Sequence, residues 1–467
     1  MNITELKNLL QINDSVTSDI IKDLIKDHCP KRNKMKKLYE WYKAETSGVP
    51  ILTREFKDTR KVNNKLNNDF FGEIIDTKVG YFAGKPITYN LDKNMYKNGE
   101  AFDEARYQKD TLNISNFNIR CSVDDLDSET AKMAATCGYG ARLLYVDRQG
   151  KEKVINIDPW EAIFVYDGSI NEPQYAMRYY DVYVIQGEKS VIRTRVEWYD
   201  NKNITFYIEN SGGSYILDSS EPVNPKPHLF DEIPLLCFPN NAELKGDAEK
   251  VLELINGYDR TLSDVDSELE QFRLAYMAFY GSEPDEGIME EAQRTGAFGL
   301  DKEDKVEFIT KTLNDTVIEN HLNRIENNIL RFAKSVNFND EAFGGTITGI
   351  AMKFKLFGLE SKCIIAERKF TAALRQQYKI LTTAWAKKGI NIDYTNIFFT
   401  FKRNFPLNLL DEADSSLKLK GLISEQTRLG LLSFVDDVDY ELELMRQENE
   451  NLVDLDDDLG DEPDATK

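Results

Sequence analysis

The spacing of apolar positions changes several times along the chain, and each change marks a different kind of element. Up to residue 45 the spacing is helical: residues 20–27, with Ser18 or Asp19 available as the cap, and then residues 34–43. The run FFGEIIDTKVGY (70–81) puts apolar side chains at 70/71, 74/75 and 79, which predicts a helix with one buried face. Gly84-Lys85-Pro86 ends it, and Ile87-Thr88-Tyr89 begins an extended stretch. Residues 127–140 read as a helix that starts at Asp127-Ser128-Glu129, has an Ala-rich body and stops at Gly138 and Gly140. From Ala141 to Leu217 the period falls to two. Strands are expected at 142–146, 154–157, 163–166, 174–185, 191–199 and 204–209, parted by turn signals such as Asp147-Arg148-Gln149-Gly150 and Ser211-Gly212-Gly213. This predicts an antiparallel sheet region packed on the surrounding helices.

Then a seven-residue repeat appears. In the helix expected over 249–272 the apolar positions are Val251, Ile255, Tyr258, Leu262, Val265, Leu269 and Phe272, in alternating steps of four and three. A second such helix, 315–334, carries Ile318, Leu322, Ile325, Ile329 and Phe332. Each seam residue, once buried, contributes about 1.5–3 kcal/mol. Gly257 inside the first helix implies a kink or a close helix contact. Between the two lies a small α/β insert: a strand at 274–280, a helix opened by Pro284 and closed by Gly296, and strands at 298–300 and 306–310. After them comes VNFNDEAFGGT (336–346), a polar loop ending in two glycines. A long helix follows, starting at Thr348 and running from 350 to about 388, and then an extended stretch over 390–401, expected at the edge of the same sheet layer. A short helical module closes the folded part, with Ser424 capping 426–432 and Asp436 or Asp437 preceding 440–447.

Composition narrows the class. The 467 residues are 41% hydrophobic and 30% charged, which suits a globular chain of several domains or one with large insertions. The formal charge is −21, which excludes a protein that wraps DNA on a broad basic surface and disfavours an anionic membrane surface. The charge is uneven: residues 1–100 carry 18 basic and 14 acidic residues, residues 448–467 carry nine acidic and one basic, and residues 242–272 carry nine acidic and three basic. The acidic tail lacks aromatics and is expected to be disordered. Its Asp454, Asp456 and Asp458 do not form a calcium loop, because Leu459 stands where that loop needs glycine and Ala465 where it needs glutamate. The basic cluster Lys31, Arg32, Lys34, Lys36 and Lys37 reads as a solvated helix face, with a phosphate contact as the alternative. The longer apolar runs span about seven residues, against roughly 20 for a membrane helix. Met1–Glu5 lacks a basic-then-apolar leader pattern. Five scattered cysteines, never in a C-x-x-C pair, point to reduced thiols in a cytosolic setting.

No catalytic constellation assembles. Gly80-Tyr81-Phe82-Ala83-Gly84-Lys85-Pro86 has one residue too few between its glycines for a phosphate loop, and Pro86 stands where Ser or Thr would reach magnesium. Gly138-Tyr139-Gly140 leads into strands and so is no dinucleotide site. There is no G-x-S-x-G, and His28, His228 and His321 are widely separated. Asp436-Asp437 reads as a helix cap in preference to a magnesium site. No cofactor or metal is expected.

Four segments, in order, carry a resemblance. They are residues 63–87, from Asn63-Asn64-Lys65 through Gly84-Lys85-Pro86-Ile87; Asp231-Glu232-Ile233-Pro234 through Phe238-Pro239-Asn240-Asn241, running to Tyr258 and Ser263; Thr348-Gly349-Ile350-Ala351-Met352-Lys353; and Ile423-Ser424-Glu425-Gln426-Thr427 followed by Val435-Asp436-Asp437. Together the chain resembles the portal proteins of tailed bacteriophages of the siphophage type over about residues 40–450. The resemblance implies an α+β portal fold with an α/β wing, a two-helix stem, a small α/β clip and a short helical crown. The wing would be 1–241 and 348–410, the stem helices 242–272 and 314–335, the clip 273–313, the tunnel loop 336–347 and the crown 411–447, with 448–467 as the tail. It further implies a ring, usually of twelve subunits, at one capsid vertex of the virion, assembled in the host cytoplasm. Double-stranded DNA would pass through without sequence specificity. Terminase and head-completion or adaptor proteins would dock at the clip, and capsid and scaffolding proteins at the wing, with no membrane partner.

Two site readings follow. Duplex DNA carries one charge per about 1.7 Å, and screening acts over about 8 Å, so an acidic wall would keep it from sticking. Asp247, Glu253, Asp264 and Glu270 are the candidates; facing outward or pairing between subunits is the alternative for each. In the tunnel loop, Asn337, Asn339 and Thr346 offer hydrogen bonds, Phe338 and Phe343 bulk, Asp340 and Glu341 charge, and Gly344-Gly345 a hinge. That loop would contact or gate DNA, or pack on the neighbouring loop. The competing functions are an ATPase or nuclease of the packaging motor, and a helical adaptor that forms no ring.

Overall fold

A computed structural model describes residues 16–57, 61–98, 101–165, 175–186, 189–272, 276–281, 286–295, 305–309, 314–337, 349–404, 409–432, 434–435, 438 and 440–448. The chain divides into two compact units, Met1–Arg403 and Asn404–Lys467.

In the first unit, the two helices expected before residue 45 are one, α1 (Ser18–Tyr42), which runs through Pro30. Its buried face, Ile20, Ile21, Leu24, His28, Met35, Leu38 and Trp41, continues on both sides of the proline, so packing overrides the local penalty. The cap is Thr17, which precedes both expected candidates; its hydroxyl accepts from Ile20 N at 3.4 Å. Helix α2 (Phe70–Ala83) is capped by Asp69 and ends where the sequence predicts. Strands β1 (Thr88–Leu91), β2 (Lys97–Asn98) and β3 (Ala101–Phe102) lead to α3 (Glu104–Cys121), a helix the apolar spacing does not announce. Then α4 (Val123–Cys137) begins before the expected start at Asp127 and stops at Gly138, whose φ of 98° only glycine adopts readily.

The period-two region folds as expected into β4 (Tyr139–Val146), β5 (Glu152–Ile157), β6 (Ala162–Val165), β7 (Tyr175–Gln186), β8 (Lys189–Tyr199), β9 (Asn203–Glu209) and β10 (Tyr215–Leu217), followed by β11 (Lys226–Pro227) and β12 (Leu235–Pro239). It forms two antiparallel sheets: β12-β4-β5, and β10-β9-β8-β7-β6 with β11 on β9. Helix α1 lies on the larger sheet, with Ile20, Ile21 and Leu24 packed among Tyr179, Val196 and Trp198.

Helix α5 (Leu252–Phe272) follows a single 3₁₀ turn at Glu249–Val251. The insert holds β13 (Tyr276–Tyr280), α6 (Glu286–Thr295) and β14 (Lys305–Ile309), with β13 and β14 paired antiparallel; the strand expected at 298–300 lies outside the described residues. Then come α7 (Asp315–Ala333) and α8 (Gly349–Ala386). The extended stretch after α8 reduces to a 3₁₀ turn and β15 (Ile397–Thr400), which pairs with β1 in a two-stranded sheet of its own and does not join the edge of either larger sheet.

A buried ion pair ties these layers. Arg142 of β4 meets Asp127 of α4 at 2.7 Å, stacks over Phe238 of β12 at 4.5 Å, and donates to Gln377 of α8 at 3.3 Å. Tyr89 of β1 donates to the other oxygen of Asp127. In the second unit, α9 (Leu409–Leu419) and α10 (Glu425–Gly430) pack together, and residues 440–448 are helical. Ser424 caps α10 as expected, accepting from Thr427 N at 3.3 Å. The architecture is mixed α+β.

Candidate functional site

The two seam-bearing helices, α5 and α7, pack on each other most closely where α5 begins and α7 ends. Val251, Ile255, Ile329 and Ala333 are buried there with Leu38 and Trp41 of α1 and Phe70, Phe71, Ile74 and Ile75 of α2. Tyr258 meets Phe70 edge-on at 4.9 Å. Burial then falls along the pair: Leu262, Val265, Ile318, Leu322 and Ile325 are half-buried, and Leu269 is 53% exposed. One seam position is corrected. From Ile329 the buried step is four, to Ala333, and Phe332 turns outward at 57% exposure. The side chain of Phe272 lies outside the described residues. Gly257 faces open space within this chain, with no close helix contact of its own.

Beside the seam, α5 carries a second stripe that the apolar pattern hides. Asp259, Ser263 and Ser267, spaced four apart, are buried although polar. Against them lies the segment that precedes α2. The backbone N–H of Asn64 donates to Ser267 Oγ at 2.9 Å, that of Leu66 to Ser263 Oγ at 2.9 Å, and that of Asn68 to Asp259 Oδ1 at 3.1 Å. The register has a simple cause. Two residues of extended chain advance about 6.6 Å and four helical residues about 6 Å, so alternate amides meet every fourth side chain. Ser267 donates its own proton back to Ser263 O at 2.7 Å, which leaves its oxygen free to accept. Burial pushes the Asp259 carboxyl up against the opposing Asn68 hydrogen bonds. We call residues 54–68, of which 58–60 lie outside the described residues, the strap.

The strap, with Lys78 of α2 and Lys362 of α8, engages three of the four expected wall carboxylates. Arg54 pairs with Asp264 at 2.5 Å, and Asn64 Nδ2 donates to Glu270 and to Asp266, both at 2.8 Å. Asp247 cannot face a channel: its side chain is buried between Lys78 of α2, at 2.7 Å, and Lys362 of α8, at 3.6 Å. Burial opposes its charge, but the two ammonium groups outweigh burial and hold the carboxyl below its ordinary value. Lys362 also donates to Ala333 O, the last turn of α7, at 2.9 Å, a favourable place for a cation. This node joins α2, the entry to α5, the exit from α7 and the body of α8. Glu253 alone of the four is exposed without a side-chain partner among the described residues.

Helix α7 differs. Asn320, Arg324, Asn327, Arg331 and Lys334 recur in steps of four and three on the side opposite its seam, and all five are exposed. Among the described residues, no carboxylate pairs with Arg324, Arg331 or Lys334. Of the expected tunnel-loop residues, Asn337 is half-buried and donates to Glu326 at 3.4 Å. Phe338, Asn339, Asp340, Glu341, Phe343, Gly344, Gly345 and Thr346 lie outside the described residues.

Among the described residues no group of three or more His, Cys, Asp or Glu is placed to hold a metal, and no helix is long and apolar enough to cross a membrane. His28 is packed, with Nδ1 2.8 Å from the Tyr179 hydroxyl, and His228 is buried against Asp200 O at 2.9 Å.

The order of these parts has counterparts. The profile of the family described as Phage portal protein, SPP1 Gp6-like, matches residues 21–454. The chain is 25% identical over 432 residues to the portal protein of Bacillus phage SPP1, covering 88% of this chain and 82% of that one. It is 24% identical over 424 residues to the portal protein of Clostridium phage phiCD119, covering 86% and 88% respectively.

Proposed function

The chain belongs to the SPP1 Gp6-like family of phage portal proteins, and on that premise we infer that it assembles as a ring at one capsid vertex and passes double-stranded DNA. The observation that carries this reading is the graded seam. Apolar positions of α5 and α7 are buried at the end where Val251, Ile255, Ile329 and Ala333 meet and less covered farther along, where Leu262, Val265, Ile318 and Leu322 are half-buried and Leu269 is exposed among the described residues. Apolar positions repeated at heptad spacing and left open call for a neighbouring helix, and a neighbouring copy supplies one.

In this reading residues 1–241 and 348–410 form the wing, α5 and α7 the stem, residues 273–313 the clip, and residues 411–447 the crown. Terminase and head-completion proteins dock at the clip, and capsid and scaffolding proteins at the wing. The protein acts as a conduit and has no catalytic step of its own. Residues 336–347 are the tunnel loop. The node of Lys78, Asp247 and Lys362 fixes the point from which the chain leaves α7 toward that loop. The acidic wall reduces to Glu253, because Asp247 is buried and Asp264 and Glu270 are bonded to the strap.

Mass measurement and negative-stain imaging of the purified full chain test the reading. A ring with a central hole, usually of twelve subunits at 53.7 kDa each, is expected. A monomer or dimer would support the adaptor alternative. Deleting residues 339–343 is expected to abolish packaging while rings persist; loss of the rings would assign the loop to subunit packing instead.

A further inference from the structure

We propose that the stripe Asn320, Arg324, Asn327, Arg331 and Lys334 on α7 is the face of the stem that meets the phosphate backbone of passing double-stranded DNA. The proposal rests on the portal reading and deepens it by naming the contact surface.

Three observations converge. First, the seam is directed elsewhere. The seam side of α7 is turned to α5, and α5 in turn holds the strap along Asp259, Ser263 and Ser267. The stripe lies on the side of α7 opposite the seam and is exposed at all five positions. Second, its chemistry is uniform. Arg and Lys offer only donors, and the two Asn side chains add neutral amides; the stripe holds no carboxylate and no apolar residue. A subunit interface draws on an apolar core, which this stripe lacks, whereas a phosphate track asks for cations and amide donors. Third, the place is right. Lys334, the cap residue just past α7, stands three residues before the described segment ends at 337, so the stripe runs toward the proposed tunnel loop.

The dimensions fit a backbone track. From Arg324 to Lys334 the helix advances about 15 Å, a length over which duplex DNA carries about nine charges. The cations are spaced along the helix with amides between them, so contact is distributed and carries no base readout. An overall charge of −21 does not oppose this, because Asp264, Asp266 and Glu270 of the partner helix α5 are bonded to the strap and Glu326 of α7 accepts from Asn337. A sparse basic stripe in an acidic ring contacts DNA without retaining it.

The test uses rings of the full chain and a fluorescent 60-base-pair duplex of random sequence, with binding followed by anisotropy across a salt series. The duplex length is about 200 Å at 3.4 Å per base pair, enough to thread a channel. For Arg324→Gln/Arg331→Gln, ring mass is expected to stay as in the wild type. The slope of log K against log salt is expected to shrink by about one for each substituted cation that contacts a phosphate, hence by about 2 or more in a ring of identical subunits. Arg324→Lys/Arg331→Lys keeps the charge and is expected to keep the wild-type slope. An unchanged slope in intact Gln-substituted rings would overturn the proposal. So would loss of rings in both the Gln and the Lys variants, which would make the stripe a subunit interface that needs guanidinium geometry. A wild-type chain that forms no ring would instead remove the portal reading on which the proposal stands.

Discussion

The two heptad-patterned helices, α5 and α7, carry similar seams and opposite surroundings. Helix α5 is strongly acidic, yet much of its charge is engaged within the chain: Asp264 by Arg54, Asp266 and Glu270 by Asn64, Asp259 by Asn68. Helix α7 is nearly balanced in charge, yet Arg324, Arg331 and Lys334 stand exposed and unpaired among the described residues. The difference teaches that formal charge on a helix does not tell what that helix offers to a partner. Availability does, and availability is set by segments far away in sequence.

The largest effect expected from breaking this comparison is at the node. Asp247→Ala leaves Lys78 and Lys362 buried without their counter-charge and is expected to cost about 3–5 kcal/mol in equilibrium denaturation. The sign of its pH dependence follows from the depressed pKa. The stabilisation is full above the ordinary value of 3.8 and is lost as pH falls through the lower folded value, so the Asp247→Asn variant is expected to show a weaker acid dependence than the wild type below that point.

The next effect is at the strap. Ser267→Ala removes the acceptor for Asn64 N at a buried position and is expected to cost about 1–3 kcal/mol, with faster amide exchange at residues 63–68 as the accompanying sign. Asp264→Asn breaks a pair whose carboxylate is 55% exposed, and a cost of about 0–1 kcal/mol is expected in the same assay. The smallest effect sharpens the contrast between two buried carboxylates. Asp259 faces amides and has its pKa raised by burial, so Asp259→Asn keeps an acceptor for Asn68, sheds a disfavoured charge and is expected to cause no loss of stability. If Asp259→Asn destabilised the protein as much as Asp247→Ala, the distinction between the node and the strap would fail.

What the sequence showed and what it hid have physical reasons. The strands of residues 141–217 were legible because alternation and turn residues act locally, over a few positions. The heptads were legible for the same reason, and they marked both stem helices. Helix α3 was not, because its buried face amounts to Asp110, Ile114 and Phe117 amid Asn113, Asn116 and Asn118; its place is fixed by Phe117 against Tyr378 and Trp385, more than two hundred residues away. The stretches 20–27 and 34–43 read as two helices where tertiary packing sustains one, running through Pro30. At the candidate site the acidic residues were visible but their partners were not. Asn64 and Ser267 are 203 positions apart, and Lys78 and Asp247 are 169 apart. The clue available in advance was the step-four run Asp259, Ser263, Ser267, too polar for an exposed seam and too regular for a solvated face. The Asn-rich stretch 63–68 was its match.

A side-chain reconstruction of the assembled ring with duplex DNA in its channel tests the division between the stem helices most directly. The account predicts Arg324 and Arg331 at the lumen beside the phosphates, with the strap of residues 54–68 still bound along Asp259, Ser263 and Ser267. A lumen lined by Asp264 and Glu270 freed from the strap, with Arg324 and Arg331 buried against a neighbouring subunit, would contradict it.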